Sequence, residues 1–170
     1  LDASVFGNIK RSGRGMLYIF IVYAIVKIEN SVKNYIETSM NLDERKDILK
    51  GWVSIRKHYN EGAFLQFMEK KKELVKTVSC VLLGILLLVF ALLLPKKGNR
   101  LYKLALSLIL GGGISNVGDR LLKGRVLDYF SINIGRLKKI VFNLADFAIF
   151  IGSFLLMLAS LGHLKQIEQP

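Results

Sequence analysis

Thr77 to Leu94 reads TVSCVLLGILLLVFALLL, eighteen residues without a charge. Together with its flanks the run is long enough to cross a bilayer core, which takes about 20 apolar residues in a helix. A core helix of a soluble protein seldom stays apolar on every face for about five turns. This stretch therefore places the chain among all-α membrane proteins. Three other segments have the same character with more polar edges, so four spans are expected, at about 16–36, 75–95, 101–122 and 142–164. An even number of spans puts both termini on one side.

Composition agrees. Of 170 residues 52% are hydrophobic, and the mean hydropathy is +0.38. The formal net charge of +12 could suggest nucleic acid, but the basic residues lie in short loops beside the spans. Anionic lipid headgroups are the partner that fits them, and no nucleic acid is expected. The lone Cys80 lies inside an apolar run, which reads as packing. His58 and His163 are too few and too far apart for a metal set, so neither a metal nor another cofactor is expected. Charge alone leaves the orientation open, because the loops opposite the termini carry the larger share of basic residues.

Outward from the decisive run, residues 1–15 (LDASVFGNIKRSGRG) read as a polar, basic tail before a first span that opens at Met16. Near its far end Glu29 and Lys33 stand four residues apart, in the favourable order on one helix face. The loop 37–74 is too small to hold its own core. Asn41 with Glu44 resembles a capping box and predicts a short interfacial helix over LDERKDILK, closed by Gly51. Gly51 to Tyr59 carries Trp, Val, Ile and Tyr without a helical stripe and reads as a strand, so the loop is expected to form a small β-rich cradle. A turn follows at Asn60 to Phe64, and Phe64, Leu65, Phe67 and Met68 suit a membrane surface. Span three holds Gly111, Gly112 and Gly113, which permit close approach of a helix or a substrate backbone. Asn116 and Arg120 share one helix face beyond them, and Asp119 can pair with Arg120 or another base. Residues 123–141 read as a second interfacial loop, with room for a hairpin.

Two carboxylates, Asp128 and Asp146, sit at the edges of apolar stretches. Such a group costs about 2.5–3.5 kcal/mol inside a membrane and normally faces a polar interior. The pair admits three readings: a protease site, an ion path or a structural knot. Two neighbouring carboxylates can hydrolyse an amide, because like charges cannot both ionise cheaply and one keeps its proton.

The motifs around these residues decide among the three. Phe142, Asn143, Ala145, Asp146, Ile149 and Gly152 meet the pattern F-N-x-A-D-x-x-I-x-x-G. Asn116, Asp119, Arg120, Gly124, Val126 and Asp128 meet G-N-x-x-D-R followed by G-x-V-x-D-F, with Ser115 for the glycine and Tyr129 for the phenylalanine. Asn60, Gly62 and Ala63 meet N-x-G-A. With these motifs the chain resembles signal peptidase II, the bacterial prolipoprotein signal peptidase. It departs from that family's pattern at Glu29, where D-x-x-x-K is usual, and at Phe64, which follows Ala63 directly.

The resemblance implies an intramembrane aspartic endopeptidase with Asp128 and Asp146 as the catalytic pair. Asn60, Gly62, Asn116, Arg120, Asn143 and Glu29 would bind substrate or support the site, with Asp119, Lys33 and Gly111 to Gly113 structural. The implied substrate is a prolipoprotein whose cysteine carries diacylglycerol, cut just before that cysteine. The implied location is the bacterial plasma membrane, with cytoplasmic termini, extracytoplasmic loops 37–74 and 123–141, and the pair near the outer leaflet. A monomer among membrane lipids is expected. The alternatives are a non-enzymatic four-span protein, serving as a proton or cation path or an assembly subunit, and an inactive family member.

Overall fold

The computed structural model of the chain describes residues 3–42, 44–61 and 71–167. In chain order the elements are α1 (Ala3–Ser39), β1 (Arg45–Ile48), β2 (Val53–Asn60), α2 (Lys72–Leu93), α3 (Arg100–Lys123), β3 (Val126–Ile132) and α4 (Leu144–Ile167). Each of the four helices contains a stretch long and apolar enough to cross a membrane. The helix of the first span begins at Ala3, so the segment expected as a tail continues it as helix.

Most of the apolar window of α3 is buried, while little of the other three is. The most buried window is thus the least apolar of the four, for a physical reason. The helix at the centre of a membrane bundle meets other helices and tolerates small and polar residues, whereas faces turned to lipid stay apolar. Gly111, Gly112 and Gly113 supply this close packing. An added Cβ on Gly111 would lie 2.8 Å from Ile25 of α1, one on Gly112 would collide with the Ala145 carbonyl oxygen of α4, and one on Gly113 would lie 3.3 Å from Leu83 of α2. The triplet therefore serves three helix contacts, and the room for a substrate backbone expected there is taken by the protein itself.

At the end of the bundle where α1 and α3 finish and α2 and α4 begin, the three strands form one antiparallel sheet in the order β1-β2-β3. The strand expected over Gly51 to Tyr59 is β2. Two local expectations are corrected. LDERKDILK does not form a helix: β1 pairs with β2, with Asp47 opposite Ser54, and a 3-10 turn follows at Leu49–Gly51. Half of the capping-box pattern forms: Asn41 N–H donates to the Glu44 carboxylate at 3.1 Å, while Glu44 N–H donates to the Asn41 backbone carbonyl and not to its side chain, at 3.2 Å. It closes a turn that feeds a strand, because pairing with β2 satisfies the backbone that a helix would otherwise have used. The second correction is in 123–141, which forms no hairpin of its own: β3 pairs with β2, His58 opposite Asp128 and Asn60 opposite Val126.

The sheet is tied to α1. Ile36 and Met40 of the α1 end pack with Leu127 and Tyr129 of β3. Lys57 donates to the Glu37 and Met40 carbonyls at 2.7 and 3.3 Å, a cation on a helix C-terminus. Phe142 then pairs with Phe130, its carbonyl accepting from the Tyr129 and Phe130 amides at 2.9 and 2.8 Å. That pairing brings the start of α4 alongside β3.

Candidate active site

Asn143 sits immediately before α4, where the first backbone N–H groups lack helical partners. Its side-chain oxygen accepts from the Asp146 amide at 2.9 Å, and the Asp146 carboxylate accepts from the Asn143 amide at 3.1 Å. The two residues thus form a reciprocal capping box, which points the Asp146 carboxylate back over the helix start. The Asn143 side-chain amide is then free to reach across to β3, where it donates to Asp128 at 2.7 Å. One asparagine, wholly buried, holds both carboxylates.

The remaining carboxylate oxygens are also engaged. Asn60, at the end of β2, donates to Asp128 Oδ2 at 3.0 Å, and Asn116 of α3 donates to Asp146 Oδ1 at 2.8 Å. Asn116 cannot turn its amide over freely, because its oxygen accepts from Lys33 at 3.1 Å and from Asn143 at 3.2 Å. Arg120 donates to the Asn116 carbonyl at 3.2 Å from the next turn of the same helix. Asp128, Asp146, Asn60, Asn116 and Arg120 line one cavity of about 210 Å³, whose other walls include Val126, Val141, Ile149 and Phe150. More apolar than polar, it lies where the sheet meets the ends of α3 and α4. Burial, and after it the neighbouring Asp146 charge, pushes Asp128 up from 3.8 to about 7.

Behind the cavity lies a buried ionic cluster. Lys33 is paired with Glu29 at 3.2 Å and with Asp119 at 2.8 Å, and its ammonium also reaches Ser115 at 3.3 Å. Lys33, not Arg120, is thus the base that Asp119 pairs with. Glu29 is 0% exposed, so the α1 pair lies in the interior of the protein. Tyr129 donates to Glu29 at 2.8 Å and accepts from the Leu144 amide at 3.1 Å. Burial, and then the Glu29 carboxylate, raises the Tyr129 phenol far above its ordinary value, which keeps it a donor.

The expected residues divide as follows. Asp128, Asp146, Asn60, Asn116 and Arg120 meet at one cavity, Asn143 is buried between the two aspartates, and Glu29, Lys33 and Asp119 stand one layer behind. Gly62 and the apolar stretch Phe64 to Met68 lie outside the described residues. Sequence reading passed over Tyr129 and Ser115 as partners. The available signal was their polarity at positions where the motif has phenylalanine and glycine. It also missed the capping box, although Asn143 and Asp146 have the required spacing.

Comparison with known proteins gives the chain a family. A family model described as signal peptidase (SPase) II matches residues 21–162. The lipoprotein signal peptidase of Shouchella clausii (strain KSM-K16) is 34% identical over 143 residues, covering 84% of this chain and 91% of the relative. That of Staphylococcus carnosus (strain TM300) is 32% identical over 143 residues, covering 84% and 89%. A bacterial membrane enzyme solved by the in meso method at 2.3 Å resolution superimposes with a TM-score of 0.78 at 26% identity, covering 91% of this chain and 93% of that one. A second, at 1.9 Å, gives a TM-score of 0.72 at 27% identity, covering 85% and 92%. With a family model spanning most of its length, and relatives and solved structures matching nearly end to end, the chain belongs to the signal peptidase II family.

Proposed function

We propose that this chain is an intramembrane aspartic endopeptidase that removes the signal peptide from diacylglyceryl-modified bacterial prolipoproteins, cutting just before the lipidated cysteine. The observation that carries the reading is the joint hold of Asn143 on Asp128 and Asp146 at the wall of one cavity. The pair retains one proton. The ionised carboxylate takes a proton from water as it attacks the scissile carbonyl, and the protonated one donates a hydrogen bond to the carbonyl oxygen. A proton then passes to the leaving amine, and the pair titrates as a unit throughout. Asn60, Asn116, Arg120 and Asn143 orient the carboxylates or the substrate backbone, with Glu29, Lys33 and Asp119 behind them. The acyl chains would lie against the apolar faces of the helices, in the bacterial plasma membrane. The termini are then cytoplasmic and the sheet lies toward the outer leaflet.

The direct test is incubation of purified protein with a diacylglyceryl-modified lipobox peptide. Cleavage before the cysteine is expected and should be insensitive to chelators. An intact peptide, or cleavage elsewhere, would overturn the reading.

The pH dependence follows from the Asp128 environment. Its acid is raised to about 7, so the shared proton is present below that value and is lost as pH rises through it. Cleavage rate is accordingly expected to fall on the alkaline side of about pH 7. A rate still climbing well above that pH would show that a shared proton is not needed.

A further inference from the structure

We propose that Tyr129 is a positioning residue of the aspartate pair and that it acts as one unit with Glu29. The inference rests on the peptidase reading for its kinetic part only. Tyr129 directly follows Asp128 on β3, and in an extended strand the two side chains point to opposite faces. Asp128 meets the cavity, and Tyr129 packs with Ile36, Met40 and Leu127 beneath the sheet. From that side its hydroxyl uses both of its functions, donating to Glu29 Oε2 at 2.8 Å and accepting from the Leu144 amide at 3.1 Å. Leu144 is the first residue of α4 and stands two before Asp146. The phenol thus links the strand that carries one carboxylate to the helix that carries the other, and anchors both to α1.

The fit depends on side-chain length. Lys33 holds the other Glu29 oxygen at 3.2 Å, so the carboxylate bridges an ammonium on one side and a phenol on the other. An aspartate at position 29 would be shorter by one methylene and would draw back from the hydroxyl. A phenylalanine at 129 would leave a buried carboxylate oxygen and a helix-start amide without this partner. Ser115 touches the same Lys33 ammonium at 3.3 Å and donates to Asn30 at 3.3 Å. With Phe at 129, an aspartate drawn back toward Lys33 leaves no oxygen that needs the phenol, so the paired change should be milder than the product of its parts.

The experiment is a double-mutant cycle of Glu29→Asp, Tyr129→Phe and both together. It is read by kinetics on the lipobox peptide and by hydrogen exchange at residues 143–147 in detergent. Each single change is expected to lower kcat about three- to tenfold, the scale of one buried hydrogen bond, with KM little changed. The double should fall within about threefold of the worse single, well short of the product. Tyr129→Phe should speed exchange at the start of α4 by a similar three- to tenfold factor. Multiplicative losses, or a lower Tm with kcat untouched, would overturn the unit. If the wild type does not cleave the peptide, the peptidase reading fails by itself. Exchange at 143–147 then still decides the positioning role, and unchanged exchange in Tyr129→Phe would refute it.

Discussion

Replacing Asp128 or Asp146 by asparagine is expected to remove peptide cleavage, by at least the 10²- to 10⁴-fold that a positioned acid or base typically contributes. Asparagine keeps the planar shape and the volume but cannot carry the shared proton. The hydrogen bonds of the pair determine what else would change. Both Asp128 oxygens accept from amide donors, Asn143 and Asn60. An asparagine there must point its own NH2 at one of them, which is donor against donor at Asn143 and requires the Asn60 amide to turn over at the other. At Asp146 the donors are the Asn143 backbone amide and the Asn116 side chain. Asn116 is held in its orientation by Lys33 and Asn143, so it cannot turn its oxygen round to accommodate the change. Each variant should therefore lose about 1–3 kcal/mol at that contact while shedding the cost of a buried charge, and remain folded. The double variant should be little slower than either single one, because the residues act as a unit. Thermal unfolding in detergent checks the fold, and turnover of the lipobox peptide checks the chemistry. Near-normal turnover in either single variant would take that residue out of the pair.

What could be read from the sequence, and what could not, follows the range of the interactions. The four helices were legible because lipid imposes its demand locally: each run had to be apolar along its length, and Thr77 to Leu94 is. Strand β2 was legible from its Trp, Val, Ile and Tyr. Strands β1 and β3 were not. The β3 residues Val126 to Tyr129 are all buried, so they show no alternation, and their partner lies some seventy residues earlier, Leu127 opposite Tyr59. At β1 the Asn41–Glu44 pattern is the same whether a helix or a strand follows, and only the partner strand decides. The aspartates stood out because carboxylates in apolar surroundings are costly. Tyr129 did not, since its ring reads as core and its hydroxyl gains meaning only from Glu29, a hundred residues away. Of the two readings of the glycine triplet, close approach of a helix holds and room for a substrate backbone does not, for a geometric reason. Successive residues on a helix turn by about 100°, so three in a row cannot face one cavity and instead face three helices.

That geometry makes Gly112 the position where the smallest change should do the greatest harm outside the pair itself. A methyl group there would collide with the Ala145 carbonyl oxygen and lie 2.8 Å from Ile149. The first neighbour cannot step aside cheaply, because it is helix backbone, and the second could do so only by moving into the cavity it lines. Helices α3 and α4 must then separate. Overpacking of this kind costs about 1–3 kcal/mol for one methyl, and Gly112→Val should exceed that. The activity loss should outrun the stability loss. Ala145 immediately precedes Asp146, so moving α4 off α3 shifts Asp146 relative to Asp128, which stays on the sheet. A displacement near 1 Å in a catalytic group can cost about 10²-fold. Gly152→Ala strains the same interface one level away, with its Cβ 2.7 Å from the Ala105 carbonyl oxygen. It should lower Tm with a smaller effect on cleavage, being farther from the pair. Gly84 and Gly118 have no neighbour within 4 Å of an added Cβ, and alanine there should be neutral or stabilising by about 0.5–1 kcal/mol. Tm in detergent and turnover of the lipobox peptide across these variants separate the two effects. A Gly112→Ala protein as stable and as active as Gly118→Ala would mean that α3 and α4 do not meet backbone to backbone at Ala145, and the placement of Asp146 would need another cause.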